Sequence, residues 1–448
     1  MSPSIAMPEP SALERVRDVF VAVLGVPREI LLPEATPEQV PGWDSLAHLS
    51  LVSEIEKAFG VSLTLDEVLA VSCVGDFVSL ATGAPPGAGE AGADRMLPGD
   101  REALFDFAGQ VKDEITLVHS PAHWEWQYLG NPAVEPGRPP VYLLRHGGRI
   151  AGHLGTIPVT LEVDGVGVRA AWTAGLVAAP EVRARGGGVR LIDRWLSECD
   201  VGLVLGTTPD AEALFTQLGW LRPGGGHVRS YMRLLDADAV VRKRVSNPAA
   251  RKAIASVANA ALSLILRAPS RLGGDIKVRT FDRFDARFDD LWERVRKGYR
   301  MIVRRDRRYL AWKFASQPDV EYIRILAERD APGVPEGTLA GYAVLRVMKR
   351  KPYVGYIVDL LAGADDAEAW NHLVAASVDV LLARGVQQVW CVVMNPTAEA
   401  ALRRFAFVLR DSPMTFFVRP NAPGLDPALF ADAANWFVTK GDADQDRP

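Results

Sequence analysis

The sequence predicts a small N-terminal bundle of four helices followed by a mixed α/β body in two parts. Three observations predict it. Residues 11–81 carry apolar side chains at helical spacing, and residues 1–81 hold 12 acidic residues against 4 basic ones. Residues 82–100 (TGAPPGAGEAGADRMLPGD) are rich in Gly, Ala and Pro and have no hydrophobic period, which is linker composition. Beyond them, strand-like runs give way to alternating helix and strand, and that order occurs twice.

A chain of 448 residues is long enough for about two to four domains, and 48% apolar with 24% charged residues excludes wholesale disorder. Apolar runs fall short of the roughly 18 residues that span a bilayer, and residues 1–10 lack the basic-then-apolar pattern of a signal peptide. Cys73, Cys199 and Cys391 are far apart and odd in number, so neither a disulfide framework nor a Cys-rich zinc site is expected. A cytoplasmic location is the simplest expectation. The net charge of −4 divides into −8 over residues 1–81 and +4 over the remainder. An acidic head and a mildly basic body have the charges to dock on each other, and no nucleic acid is needed to explain them.

In the head, Leu13, Val16, Val19, Phe20 and Leu24 line one face of a first helix. Leu46, Leu49, Val52, Ile55, Glu56 and Phe59 set a 3.6-residue period on a second, with shorter elements at 65–71 and 75–80. Read in isolation, Asp44 and Ser45 only cap the second helix. The run Trp43-Asp44-Ser45-Leu46, continued by Leu49, Leu51, Val52, Ile55, Glu56, Phe59 and Gly60, resembles an acyl or peptidyl carrier protein over the whole head. The resemblance implies a 4′-phosphopantetheine arm on the Ser45 hydroxyl, with Asp44 beside it. A serine at a helix start suits this, because backbone N–H groups and the positive dipole end tolerate a phosphate there. If flexible, the 19 residues of the linker would span roughly 25 Å on random-coil scaling.

The body carries a repeated motif. His-Trp-Glu-Trp-Gln-Tyr-Leu-Gly-Asn-Pro stands at 123–132 and Tyr-Leu-Ala-Trp-Lys-Phe-Ala-Ser-Gln-Pro at 309–318. Each is followed by three strand-like runs (141–145, 150–161 and 168–177; 322–327, 339–347 and 354–361), a helix (189–199; 368–382), a buried strand (201–206; 388–393) and a short helix (211–218; 397–405). Core packing by Trp124 and Trp126 is the expected role of the first motif, ahead of chemistry by His123 or Glu125. The expected boundaries are a head at 1–81, a linker at 82–100, units at 101–238 and 276–420 joined by a basic bridge at 239–275, and a tail at 421–448.

After the strand ending at Pro180 comes Glu181-Val182-Arg183-Ala184-Arg185-Gly186-Gly187-Gly188, then a helix. A Gly-rich turn entering a helix presents several N–H donors to a phosphate, although three glycines often mark only a tight turn. Arg183-x-x-Gly186-x-Gly188, together with Ala211-Glu-Ala-Leu-Phe215-Thr-Gln-Leu-Gly219-Trp220, resembles the GNAT acyltransferase superfamily over roughly 101–235, and more faintly over 276–420. The resemblance implies two GNAT-like mixed α/β domains behind the four-helix carrier bundle. It also implies a V-shaped gap between two central strands for the pantetheine of an acyl thioester, with Arg183, Arg185, Gly186, Gly187 and Gly188 at its phosphates. The tyrosine this family often uses as general acid falls at Phe215, and the second copy has Leu402 there. The second copy also replaces the phosphate loop by Gly363-Ala-Asp-Asp-Ala-Glu368, so donor binding is expected in the first unit only.

Amine acylation needs a neutral amine, near-attack geometry and a donor to the developing oxyanion, with a base that can act through water. His153, on a central strand, is one candidate, against an ordinary core histidine. Asp359, on a strand of the second unit, is a candidate partner for the acceptor amine, against a strand-end ion pair. Two basic stretches stand apart. Residues 239–274 hold seven basic residues and no acidic one around a helix at 253–266, with Ile254, Val257, Ala261, Leu264 and Ile265 on one face; it reads as a bridge packed on a domain, or as a membrane-surface or carrier-docking helix. Residues 294–313 hold nine basic residues and one acid, and read as a solvated face, or as a dock for the carrier or for an anionic acceptor.

The expected function is an N-acyltransferase moving an acyl or aminoacyl group between a phosphopantetheine thioester on its own carrier and the amine of a small-molecule or lipid-like acceptor, in natural-product or specialised-lipid biosynthesis. It would need a phosphopantetheinyl transferase and an acyl- or aminoacyl-activating enzyme as partners. Whether the arm brings donor or acceptor, with acyl-CoA at residues 183–188 in the second case, stays open in the sequence. The rivals are a decarboxylase or loading enzyme, and a non-catalytic module presenting its carrier to synthases.

Overall fold

The structure, a computed structural model, describes residues 11–33, 35–64, 67–68, 71–82, 93–111, 120–146, 148–183, 186–237, 241, 245–265, 272–349, 351–412 and 414–446. In the head, α1 (Ala12–Leu24) starts at Ser11, whose hydroxyl accepts from the Glu14 N–H, and stops at Gly25 in the left-handed region (φ 66°). Helices α2 (Ser45–Phe59) and α3 (Val74–Ala81) pack on it around Val16, Phe20, Trp43, Leu51, Ile55 and Phe77, all buried. The element expected at 65–71 lies largely outside the described residues.

The linker is shorter than its composition predicts. Residues 83–92 lie outside the described residues, but β1 (Ala93–Arg95) pairs antiparallel with β2 (Val141–His146), and Met96 is buried behind it. The Arg95 guanidinium bonds the carbonyls of Arg138 and Pro139 and the Glu198 carboxylate. Local composition hides this because the bonds that order the strand come from about 44 and 103 residues away.

Next come α4 (Arg101–Gln110), α5 (Pro121–Tyr128), β2, β3 (Arg149–Val163), β4 (Val166–Ala178), the short α6 (Pro180–Arg183), α7 (Gly187–Leu196), β5 (Val201–Leu205), α8 (Pro209–Gln217) and β6 (Ser230–Leu234). After α9 (Pro248–Ile265) and β7 (Ile276–Thr280), much the same order returns. It runs α10 (Arg287–Val295), β8 (Met301–Val303), α11 (Arg307–Ala315), β9 (Ile323–Arg329), β10 (Leu339–Met348), β11 (Lys351–Ala362), α12 (Ala367–Leu382), β12 (Gln388–Met394) and α13 (Pro396–Arg404). The chain ends with β13 (Val408–Arg410), β14 (Phe416–Pro420), α14 (Pro427–Ala431) and β15 (Trp436–Thr439).

The two sequence motifs meet face to face. Trp126 on α5 donates its indole N–H to the Trp312 carbonyl, and Trp312 on α11 donates to the Trp126 carbonyl, each at 2.8 Å, with the rings stacked 5.3 Å apart. Asn131 and Gln317, at matching places in the motifs, each accept from the N–H two residues on.

Two features run against the expected boundaries. First, the strands after α8 and α13 are exchanged: β6 pairs with β12, and β14 pairs with β5. Among the described residues, fifteen strands therefore form one continuous mixed sheet rather than two sheets parted near 238–276. Second, residues 436–446 are no loose tail. β15 lies between β8 and β12 in the middle of the sheet, parallel to the first and antiparallel to the second. Buried charge holds the residues beyond β15: Arg305 bonds Asp359 and Asp442, and Arg346 bonds Asp446 at 3.0 Å. Lys313 donates to the Ala443 carbonyl at 2.8 Å over the Trp126 and Trp312 rings, and burial lowers its ammonium to a pKa of about 8.

The basic run at 294–313 is mostly spoken for. Arg296 and Arg304 both reach the buried Glu162, Arg300 pairs Asp164, Arg307 pairs Asp289, and Arg294 donates to the Leu339 carbonyl. Arg296, Arg300 and Arg304 thus join the two units, while Arg294, Lys297, Arg300, Arg307 and Arg308 stay exposed, so the run is in part the solvated face expected. The bridge helix α9 packs as a bridge but by another face than the apolar one expected: Ala255 packs on Ala237 and Val241, and Asn259 bonds Asp236 and Ala237, while Ile254 and Val257 point to solvent. Among the described residues no helix is long and apolar enough to cross a membrane.

Candidate functional site

The start of α2 is held from three sides. Asp44 caps it, one carboxylate oxygen accepting from the Leu46 and Ala47 N–H groups at 3.0 and 2.8 Å. Trp43 donates its indole N–H to Nδ1 of His48 at 3.2 Å, and Nε2 of His48 donates to the Val68 carbonyl at 3.1 Å. Trp43 in turn meets Phe20 edge-on at 4.8 Å. Ser45 is thereby placed at the helix tip, where its hydroxyl donates to the main-chain carbonyl of Arg183 in the body. Along the same contact α2 packs on α8, and the Arg190 charge reaches His48.

The body side of this contact is the Gly-rich turn. Gly186 adopts φ 71° at the N-cap of α7, a conformation glycine takes without strain. A Cβ on Gly187 would lie 2.7 Å from the Val182 carbonyl and 2.8 Å from Leu144, so only glycine fits there. At Gly188 a Cβ would make ordinary contact with Leu214 at 3.5 Å. The N–H groups of Gly187, Gly188 and Val189 form the first turn of α7, where no earlier carbonyl of the helix can accept them. Nε of Arg183 donates to the Ala178 carbonyl at 3.1 Å, tying the turn to the end of β4. Arg185 lies outside the described residues.

Beside the turn the sheet opens. β4 and β5 run parallel only over 170–172 and 201–203, after which β4 continues to Ala178 paired with β3 but no longer with β5. A bulge marks the divergence: Leu154 pairs Leu176 and Gly155 pairs Ala174, leaving Gly175 extra with φ 82°. On the other strand, the Gly206 N–H bonds Thr415 toward β14, so Leu205 turns its carbonyl toward β4. The Leu205 carbonyl accepts from the Gln445 side chain at 2.7 Å.

The second unit has the same divergence, but it is filled. β11 and β12 pair over 354–357 and 388–391, and Val358 is the bulged residue. The Gly441 N–H donates to the Val358 carbonyl at 2.9 Å and the Lys440 N–H to Val392 at 3.2 Å, so the chain's own C-terminal segment bridges the two strands.

The two candidates for chemistry fare differently. His153 on β3 is 1% exposed, and its Nδ1 donates to the bulge carbonyl of Gly175 at 2.8 Å, which leaves Nε2 as the acceptor nitrogen. Burial lowers its pKa to about 4, so the ring is neutral at physiological pH. Asp359 does not face an acceptor. It is 1% exposed, and its oxygens accept from Arg305, from the Thr439 hydroxyl at 2.8 Å and from the Tyr342 hydroxyl at 2.7 Å. Asp359 is thus a buried ion-pair and hydrogen-bonding group that helps lock the C-terminal segment, the alternative expected for this residue, and not a partner for an acceptor amine. Phe215 is core, packed on Trp220 and Phe417. The acidic loop of the second unit is neutralised by Arg329, which pairs Asp366 and Glu368. His48 and Gln445, absent from the sequence-based candidates, belong here; only the Trp43-to-His48 spacing on one helix start was readable beforehand.

Two buried neutral histidines predict an acid-sensitive fold. His48 is also lowered to about 4, chiefly by burial, with Arg190 adding to the effect. An unfolded imidazole takes its proton near 6.5 and these do so only near 4, so below 6.5 the unfolded chain binds more protons. Their contribution, roughly 3 kcal/mol each, is complete above pH 6.5 and is lost as the pH falls toward 4. Thermal unfolding between pH 7.5 and 4.5 checks this. His153→Gln should flatten the slope, and an unchanged slope would contradict the assignment.

Comparison with known proteins identifies the head. Residues 14–81 match the family model described as the phosphopantetheine attachment site. Similar solved structures include a conserved protein of unknown function from Enterococcus faecalis V583, described as a probable N-acyltransferase (12% identity, 74% of this chain and 73% of that one, TM-score 0.49). They also include Saccharomyces cerevisiae N-myristoyltransferase with bound myristoyl-CoA (13%, 75% and 80%, 0.47). A GCN5-related N-acetyltransferase from Anabaena variabilis is similar at 13%, 74% and 73%, with a TM-score of 0.49.

Proposed function

We propose that the protein transfers an acyl or aminoacyl group from a phosphopantetheine thioester on Ser45 to the amine of a small-molecule or lipid-like acceptor, in biosynthesis of a specialised product. The observation that carries this reading is the Ser45 hydroxyl seated on the Arg183 carbonyl, at the mouth of the one gap among the described residues that the chain does not bridge with its own backbone. A 4′-phosphopantetheine arm supplies the thioester when present. The residues suit it: Ser45 meets the body at Arg183, four residues before the first turn of α7, whose N–H groups have no acceptor within the helix and suit a phosphate. On the β5 edge the Leu205 carbonyl now holds the Gln445 side chain, which an arm entering between β4 and β5 would displace.

His153 is proposed to take the amine proton through Nε2, directly or by way of water, with Nδ1–H fixed on Gly175. With a ring neutral down to about pH 4, the acid limb of the rate profile should lie near that value and not near 6.5. On this reading units 101–238 and 276–420 divide the work, the first holding the donor and the second, its gap closed by residues 440–441, buttressing it. A phosphopantetheinyl transferase and an activating enzyme would load the arm.

The test is intact mass. The holo protein is charged with a series of acyl and aminoacyl groups and mixed with candidate amines. Loss of the acyl mass from the arm with appearance of the amide, slowed in His153→Gln with KM for the amine little changed, is expected. Loss of the acyl mass as CO2 or as free acid alone would support decarboxylation or hydrolysis instead, and no loss with any amine would favour a presenting module.

A further inference from the structure

We propose that the mouth of the first gap is a docking site for the chain's own head, which admits a carrier-borne thioester and shuts out a free coenzyme A thioester while the head is docked. The inference rests on the preceding reading that this gap takes a pantetheine thioester, and it names the donor class. In the apo chain three contacts build the interface: Ser45 on the Arg183 carbonyl, α2 along α8, and Arg190 near His48; attachment of the arm replaces the Ser45 O–H by a phosphodiester, and the other two remain. The charges agree. The head carries −8, and the body presents Arg183 and Arg190 at the contact.

The exclusion is steric. A pantetheine arm on a serine ends at one phosphate. In a coenzyme A thioester that phosphate continues into a second phosphate, a phosphorylated ribose and adenine. With the pantetheine phosphate at the mouth, the nucleotide would have to lie where the first turn of α2 and the exposed Leu46 now stand. The tether makes the competition uneven. Residues 83–92 can extend to about 38 Å at most between Thr82 and Ala93. A head held within that reach acts at an effective concentration on the order of millimolar. Free thioester at micromolar levels loses to it.

Coenzyme A itself is the probe, with the full-length apo chain as wild type and as Leu46→Arg, which adds a long cation to the first turn of α2, next to Ser45. Hydrogen exchange over 180–217 reports docking, and calorimetry reports binding. Leu46→Arg should raise exchange in α8 and tighten coenzyme A binding at least tenfold, and saturating coenzyme A should raise exchange at the start of α2 in wild type. Equal affinities despite a released head, binding to wild type without loss of head protection, or no binding to either chain would each overturn the proposal. Circular dichroism shows whether the variant folds; Ala47→Arg serves if it does not, and unchanged exchange in a folded variant also overturns it. These readouts need no acyl transfer. A chain that behaves as expected here yet acylates no amine would remove the reading of function and leave the docking site in place.

Discussion

Ser45→Ala should abolish arm attachment and carrier-borne acyl transfer while leaving the fold intact. The helix start does not depend on the hydroxyl, because Asp44 supplies the cap and Trp43 with His48 supplies the packing. Loss of one partly buried hydroxyl with a single bond to the body should change stability by no more than about 0.5 kcal/mol. Transfer is another matter. Without the arm the donor must come from solution, and losing an intramolecular effective concentration costs about 10²–10⁴-fold even where a soluble pantetheine thioester is accepted. Intact mass after treatment with coenzyme A and a broad-specificity phosphopantetheinyl transferase, followed by the transfer assay, reads both parts. A variant that still gains the arm mass would place the attachment elsewhere, and one that transfers at the wild-type rate would remove the tethered mechanism.

Arg305→Ala should be far more destabilising than Ser45→Ala. Arg305 is 2% exposed and donates to Asp359, Asp442 and the Val303 carbonyl. It also lies 4.9 Å over the Phe437 ring. Its removal leaves two carboxylates buried side by side without their cation, a situation that typically costs about 3–5 kcal/mol. Burial already pushes the Asp442 carboxyl upward in pKa, so the loss would force it to protonate. Thr439 and Asp442 would lose their anchor, and with them the segment that bridges β11 and β12 and carries Gln445 to Leu205. Denaturant unfolding measures the effect. The triple change Arg305→Met, Asp359→Asn and Asp442→Asn should recover much of it, because it removes the charges together. Full stability of Arg305→Ala alone would show that the cluster does not hold the C-terminal segment.

The features legible beforehand are those set within a few residues of one another. Asp44 and Ser45 open α2 because the cap acts over two or three positions, and the Gly186-to-Gly188 turn follows β4 because a left-handed residue and a close backbone approach both demand glycine there. The paired motifs at 123–132 and 309–318 were visible as a repeated pattern, though not the reciprocal bonds between Trp126 and Trp312. The pairing of the basic run at 294–313 is not legible in the sequence, because its partners Glu162, Asp164 and Asp289 lie on other elements. Asp359 looked available for the same reason: Arg305 and Thr439 come from 54 and 80 residues away.

By itself, then, the sequence determined the head with its serine at a helix tip, the Gly-rich turn and the twice-run order of strands and helices. These follow from capping, backbone freedom and hydrophobic period, all short-range. Only the tertiary structure decided which of the two gaps the C-terminal backbone bridges and what stands at the mouth of the other. The exchange of β6 and β14, the insertion of β15 and the seating of Ser45 on Arg183 are pairings between segments far apart in the chain. Strand pairing and docking of this kind depend on edges, charges and cavities that exist only once the other elements have folded, and no local pattern records them.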